Sequence, residues 1–261
     1  MSGTAYQETE RNLQTRIRAH KEYANFTLED WLQDWLGDVS GQRLLEVGCG
    51  DGNFFATYAQ ALGPGGMILG LDLGPDLLYK AREKARALPT PVLVFPWNYD
   101  HHPWPFLDEE MDIIIAPFSA YYTRDVSAWV EEALRVASRR SRLLLLGPTQ
   151  DNARELYEFN EHLTGIKTVP ETDSTTGKLE EYILPELRHR LGGGVARTIL
   201  DRQLIFPSVA EFARYYQATL LYDRTCRALG RTIPFEEVMA AASQTNLRLS
   251  KQIICITALK G

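Results

Sequence analysis

Five short, continuously apolar runs alternate with amphipathic stretches through the middle of this chain, and that alternation restricts its fold more than any other feature. The runs are Leu44–Val47, Met67–Leu73, Val92–Trp97, Met111–Pro117 and Leu143–Gly147. Each is too short for a buried helix and is bounded by Gly, Pro or Asp, which reads as a strand. Asn53–Leu62, Asp76–Leu88 and Asp125–Ala137 lie between them with helical spacing. In the last of these, Val126, Trp129, Val130, Ala133 and Leu134 recur at three- and four-residue steps. Strands that are apolar throughout, alternating with helices, predict a doubly wound α/β core with a mostly parallel sheet covered on both faces.

The flanks read as a helical cap. Before residue 43 the sequence predicts one or two helices carrying Tyr6, Tyr23, Phe26, Trp31 and Trp35. After the core come a helix at Ala153–Leu163, a polar stretch from Thr172 to Lys178, and a flexible Gly192–Gly194 run. A strand at Thr198–Phe206, a long aromatic helix at Val209–Tyr222, a shorter helix at Phe235–Ser243 and a strand at Gln252–Leu259 complete the chain. The expected organisation is a single domain over 1–261. It comprises an N-terminal helical lid (1–42), a ligand-binding core (43–148), a cap insertion (149–200) and C-terminal strands and helices (201–261).

Composition narrows the class. Lys and Arg total 28 against 34 Asp and Glu, a net charge of −6, so a polyanionic partner is not favoured and no nucleic acid is expected. Cys49, Cys226 and Cys255 form no C-x-x-C pair, which argues against a zinc framework or a disulfide set. No run approaches the ~18 apolar residues of a membrane span, and the first thirty residues lack the apolar core of a signal peptide. A soluble, cytoplasmic chain with no membrane partner is expected; its oligomeric state is left open.

The most informative stretch is Leu44–Phe55, where a strand enters Gly48-Cys49-Gly50-Asp51-Gly52 and passes straight into a helix. Glycines there permit positive φ and a close backbone approach to a ligand. In an open parallel sheet, this is where the ligand crevice forms. The spacing is G-x-G-x-G rather than the dinucleotide G-x-G-x-x-G, and Glu46 sits two residues before the first glycine. The second strand ends at Asp72, placed to accept two hydrogen bonds from a ribose diol. The third ends at Asp100, followed by His101, and a Pro105-Phe106 pair precedes the fourth.

In that order, the motifs resemble those of class I S-adenosylmethionine-dependent methyltransferases, closely over 43–148 and more loosely in the flanks. The resemblance implies a seven-stranded Rossmann-like methyltransferase fold and S-adenosylmethionine as cofactor. By resemblance, Glu46, Gly48, Cys49 and Gly50 face the methionyl end through backbone and water, and Asp72 holds the ribose hydroxyls. Leu73 packs on the adenine, Asp100 accepts from its amino group, and His101 offers a backbone N–H to a ring nitrogen. Ser138-Arg139-Arg140-Ser141 stands where the family has a Pro-Gly-Gly turn before the fifth strand.

Ile115-Ala116-Pro117-Phe118-Ser119 departs from the Asn/Asp-Pro-Pro-Tyr/Phe of base methylases, which points to a small-molecule acceptor. Asp151-Asn152 reads as a helix N-cap rather than a metal site, and the adjacent His101-His102 pair has no third ligand placed near it, so no metal is expected. Tyr121, Tyr122 and Tyr216 are the candidate substrate contacts. The stretch around His20 resembles the helix that closes over the cofactor in small-molecule methyltransferases, and His20 is the candidate general base. The reading is methyl transfer to an oxygen or nitrogen of a small metabolite, in biosynthesis. The alternatives are a non-methylating member of the fold (a cyclase or a cofactor-binding protein), methylation of a protein or RNA partner, and an NAD-dependent oxidoreductase, which the glycine spacing disfavours.

Overall fold

Backbone hydrogen bonds join the apolar runs into one sheet in this computed structural model, which describes residues 10–149, 151–167 and 177–261. Tyr6 and residues 172–176 of the polar stretch lie outside the described residues. Helices α1 (Glu10–Glu22) and α2 (Leu28–Leu36) precede strand β1 (Arg43–Val47). Then come α3 (Phe55–Leu62), β2 (Met67–Asp72), α4 (Pro75–Ala85), β3 (Val92–Pro96), β4 (Met111–Pro117), α5 (Val126–Val136) and β5 (Ala137–Pro148). The chain continues through α6 (Arg154–Thr164), α7 (Leu184–Leu191), β6 (Val195–Leu200) and β7 (Gln203–Ile205). It closes with α8 (Val209–Gln217), α9 (Leu220–Leu229), α10 (Phe235–Ala242), β8 (Arg248–Ser250) and β9 (Ile253–Leu259). Among the described residues no helix is long and apolar enough to cross a membrane.

These elements group into two compact units. The sheet unit spans 28–150, 173–200 and 253–261. Its seven strands run in the order β3-β2-β1-β4-β5-β9-β6, parallel except for β9, which is antiparallel to both β5 and β6. Leu44, Leu45 and Val47 of β1 are fully buried, as are Ile113–Ala116 of β4, which is why these runs carry no polar face. One core lies on each side of the sheet, one around Trp104, Trp129 and Leu145, the other around Leu32, Phe55 and Tyr58. The order reverses between β1 and β4, so their carboxyl ends open the crevice in which such sheets bind ligands.

The second unit spans 1–27, 151–172 and 201–252. Its aromatic core joins Phe159, Phe206, Phe212, Tyr215 and Tyr216, with Phe159 packed edge-on against both Phe212 and Tyr216 at 5.0 Å. β7 and β8 form a two-stranded antiparallel ribbon. The segment before residue 43 therefore divides, α1 belonging to this unit and α2 to the sheet unit.

Several local expectations need correction. Thr198–Phe206 is two strands, broken at Asp201–Arg202, where the chain passes from one unit to the other. The aromatic helix ends at Gln217; Thr219 Oγ1 accepts from the Tyr222 N–H and starts α9 afresh. Aromatic spacing runs through the break because both helices feed one core. Ser138–Ser141 is no turn but part of β5, with an irregularity in its pairing to β4; Arg140 takes φ +66° and donates its N–H to Lys260 O. Asp151-Asn152 does not cap α6 with a side chain: Ala153, in left-handed backbone, precedes the helix and donates to Ser250 O at 2.7 Å. Gly192–Gly194 forms a 3₁₀ turn into β6, where a Cβ on Gly194 would stand 2.9 Å from Leu259 O.

Candidate active site

The carboxyl ends of β1, β2 and β3 and the segment after β4 bring the predicted residues of the sheet unit into one neighbourhood. The glycine turn holds itself closed with its own donors. The N–H groups of Gly48 and Cys49 both donate to Leu71 O, at 2.7 and 2.9 Å, and the Gly50 N–H donates to Asp72 Oδ2 at 2.8 Å. The other carboxylate oxygen of Asp72 accepts from the Gly74 N–H at 2.8 Å. Asp72 thus pins the turn to the end of β2. These three donors are therefore not free to hold a phosphate.

The glycines differ in what they do. All three take positive φ, +76°, +55° and +72° for Gly48, Gly50 and Gly52. A Cβ on Gly48 would stand 2.4 Å from Ser119 Cβ, and one on Gly52 would stand 2.6 Å from the Phe55 ring. On Gly50 it would meet nothing within 4 Å. Gly48 and Gly52 are therefore packing glycines, and Gly50 borders open space. Cys49 is buried, with its Sγ against Gly70, and burial foremost raises its thiol pKa.

Glu46 does not line the crevice. It is 1% exposed, beneath the turn, and its carboxyl meets the buried Tyr58 hydroxyl. Burial, reinforced by the charges of Asp72 and Asp51, pushes its carboxyl well above the usual 4.5. The folded state then holds a proton that the unfolded chain releases above about pH 4.5, so stability falls as pH rises from there toward the folded value. Glu46→Gln removes that slope. Its melting temperature should gain on wild type as pH rises, by about 1.4 kcal/mol per pH step within that window, or roughly 2–4 °C per kcal/mol. Parallel melting curves from about pH 5 to 9 would show that Glu46 titrates normally.

Leu73, 67% exposed, extends from the end of β2 as a flat apolar surface in the place expected for adenine. Asp100 Oδ1 accepts from the Thr123 hydroxyl at 2.6 Å and from the Arg124 N–H at 3.1 Å, tying the loop after β3 to that after β4. The His101 N–H, expected to meet a ring nitrogen, donates to Asn98 O at 2.8 Å. Tyr121 is core, against Gly147, and burial raises its phenol. Tyr122 is 59% exposed with its ring 4.6 Å from that of Tyr121.

Sequence reasoning missed Tyr99 and Ser119. Tyr99 donates to Ser119 O at 3.2 Å, and its phenol is raised by burial and by the charges of Asp100 and Asp72. The buried Ser119 hydroxyl donates to Val47 O and packs on Gly48. The signal for Ser119 was its place directly after β4, beside the switch point.

The other two predicted residues lie in the second unit. Tyr216 is core: it is fully buried and donates to Asn160 Oδ1 at 2.7 Å. His20 is packed against Arg202, whose Nη1 lies 2.7 Å from Nδ1, and burial first, then Lys251, Arg202 and Arg16, pushes its pKa down to about 3. A general base needs an open lone pair and a pKa near the working pH, and this imidazole has neither.

Comparison with known proteins agrees with the crevice. Residues 44–139 match the family described as a methyltransferase domain. The chain is 27% identical over 143 residues to the ubiquinone/menaquinone biosynthesis C-methyltransferase UbiE of Pasteurella multocida, spanning 54% of this chain and 52% of that one. It is 25% identical over 182 residues to the 2-phytyl-1,4-naphtoquinone methyltransferase of Trichormus variabilis, spanning 61% and 76%. A SAM-dependent methyltransferase of Aquifex aeolicus shares the fold, with TM-score 0.58 over 96% of this chain and 97% of that one at 13% identity. The chain spans about half the length of several curated relatives it matches. The segment that carries the glycine turn and Asp72 is thus the part of the chain that matches a methyltransferase domain, and the fold is that of the Aquifex aeolicus structure.

Proposed function

We propose that the chain transfers a methyl group from S-adenosylmethionine to a carbon atom of a small metabolite. The observation that carries the cofactor assignment is Asp72, which closes the glycine turn on the end of β2 and keeps lone pairs for further donors. A dinucleotide's pyrophosphate would draw on the turn's N–H groups, and those of Gly48, Cys49 and Gly50 are bonded to Leu71 and Asp72. The Asp72 carboxylate and the exposed Leu73 instead fit a nucleoside, ribose diol and adenine in turn. When bound, that cofactor supplies an electrophilic methyl group on a sulfonium. The protein's share is alignment, and holding donor and acceptor in line is worth up to ~7–11 kcal/mol.

The sequence alone suggested oxygen or nitrogen as the acceptor atom. The names of the relatives, a ubiquinone/menaquinone C-methyltransferase among them, favour carbon instead. Thermal shift tests the cofactor: at a hundredfold excess over Kd, S-adenosylmethionine should add about 2.7 kcal/mol, or roughly 5–10 °C, and NAD nothing. A shift with neither, or the same shift with both, would sink the reading. Incubation with ¹³C-methyl cofactor and a metabolite extract then assigns the atom, since carbon-, oxygen- and nitrogen-bound methyl groups resonate apart.

A further inference from the structure

Two carboxylates in the crevice of the sheet unit carry charge that no cation of the described residues cancels. Asp72 accepts from the N–H groups of Gly50 and Gly74 at 2.8 Å each. Asp100 accepts from the Thr123 hydroxyl at 2.6 Å and from the Arg124 N–H at 3.1 Å. All four partners are neutral donors, and among the described residues neither carboxylate forms an ion pair.

One hydroxyl lies in the field of both. Tyr99 follows β3, and its backbone is pinned by Trp104 Nε1, which donates to Tyr99 O at 2.9 Å. Burial first, then the charges of Asp100 and Asp72 and the Tyr122 phenol, raise its pKa, so it keeps its proton at neutral pH. That proton is donated to Ser119 O at 3.2 Å, and the oxygen's two lone pairs accept nothing among the described residues. Ser119 in turn packs on the glycine turn: its hydroxyl donates to Val47 O, and its Cβ leaves no room for one on Gly48. The Tyr99 oxygen thus stands where the field of Asp72, read as the ribose contact, meets the residue that packs on the turn. In S-adenosylmethionine, the atom that joins the ribose to the methionyl chain is the sulfonium.

A sulfonium has no N–H to donate. Its charge is shared with the C–H groups around it, and an uncommitted oxygen can accept from those. Two carboxylates close by strengthen such a contact, and the absence of a competing cation among the described residues leaves their field intact.

We propose that the Tyr99 hydroxyl oxygen receives the sulfonium of S-adenosylmethionine through C–H···O contacts to its methyl group, so that Tyr99 tells the methyl donor from its demethylated product. This rests on the methyltransferase reading and deepens it. Once the methyl group has left, the sulfur is neutral and the contact has no charge to meet.

The test compares three nucleosides on the full chain by calorimetric titration. They are S-adenosylmethionine, S-adenosylhomocysteine with its neutral sulfur, and sinefungin, which carries an ammonium group in place of the methylated sulfur's charge. Tyr99→Phe should weaken S-adenosylmethionine by about three- to tenfold and sinefungin by at least as much, but S-adenosylhomocysteine by less than about twofold. The bond to Ser119 O is lost for all three ligands alike, so the ratio isolates the contact from any loosening of the site. Equal losses would make Tyr99 a support of the loop, and unchanged affinity for all three would remove it from the site; either overturns the proposal. A second measurement needs no variant. With ¹³C-methyl S-adenosylmethionine on wild type, the methyl protons should resonate downfield of the free ligand, as protons facing an oxygen lone pair do. An unchanged or upfield position overturns the proposal even where Tyr99→Phe fails to fold. The wild-type thermal shift keeps the readings apart. No shift with S-adenosylmethionine overturns the cofactor assignment and this proposal with it, whereas a normal shift with an unaltered affinity ratio in Tyr99→Phe overturns this proposal alone.

Discussion

Asp72→Ala should weaken S-adenosylmethionine binding by roughly 30- to 1000-fold, measured by calorimetric titration. The carboxylate holds the Gly50 N–H and the Gly74 N–H at 2.8 Å each, and each oxygen keeps a further lone-pair direction for a ribose hydroxyl. Hydrogen bonds to a charged group are worth about 1.5–3 kcal/mol apiece. Losing about 2–4 kcal/mol from ribose contacts and turn geometry together gives that range, at about 1.4 kcal/mol per factor of ten. Asp72→Asn is no mild replacement here. Both backbone partners are donors, so whichever way the amide turns, its NH₂ faces an N–H. Its affinity should fall close to that of Asp72→Ala. The maximal rate at saturating cofactor should drop much less, the pattern of lost uniform binding. Wild-type affinity in Asp72→Ala would remove Asp72 from the cofactor site.

The range of each interaction decides whether the sequence discloses it or hides it. Strands buried on both faces must be apolar throughout, so Leu44–Val47 and Met111–Pro117 are legible as they stand. The glycine turn and Asp72 are legible because their chemistry is local to strand ends. The use of the turn's N–H groups is not, since Leu71 O reaches them only once β2 pairs with β1. Ser138–Ser141 reads as a polar turn because its charges are real, and in β5 it bulges between the β4 partners Ala137 and Arg142, held by backbone bonds of Arg140 and Ser141 to Lys260. Tyr121, Tyr122 and Tyr216 share a residue type, yet two are core and one is exposed. Spacing shows which residues share a face and leaves open whether that face meets solvent or another element. His20 is the extreme case: its Nδ1 is taken by Arg202, which lies 182 positions away in the chain, and burial foremost lowers its basicity.

Gly48 and Gly50, two residues apart in one turn, should respond to the same substitution in opposite ways. Both take left-handed backbone, which costs an alanine about 1–2 kcal/mol. At Gly48 the new Cβ would also meet Ser119 Cβ at 2.4 Å and Oγ at 2.9 Å, and that serine cannot retreat, being buried and hydrogen-bonded to Val47 O. Overpacking adds about 1–3 kcal/mol, so Gly48→Ala should lower the melting temperature by roughly 5–15 °C. Removing the obstacle tests the cause: Gly48→Ala with Ser119→Gly should recover more stability than adding the two single effects predicts, because the sites are in contact. At Gly50 the Cβ meets nothing within 4 Å, so Gly50→Ala loses only a few degrees to backbone strain. The methyl group then stands in the space assigned to the cofactor, and S-adenosylmethionine affinity should fall at least tenfold, with Gly50→Val worse still. A Gly50→Ala protein that melts as low as Gly48→Ala would make Gly50 another packing glycine. One that binds S-adenosylmethionine like wild type would place the cofactor elsewhere than over this turn.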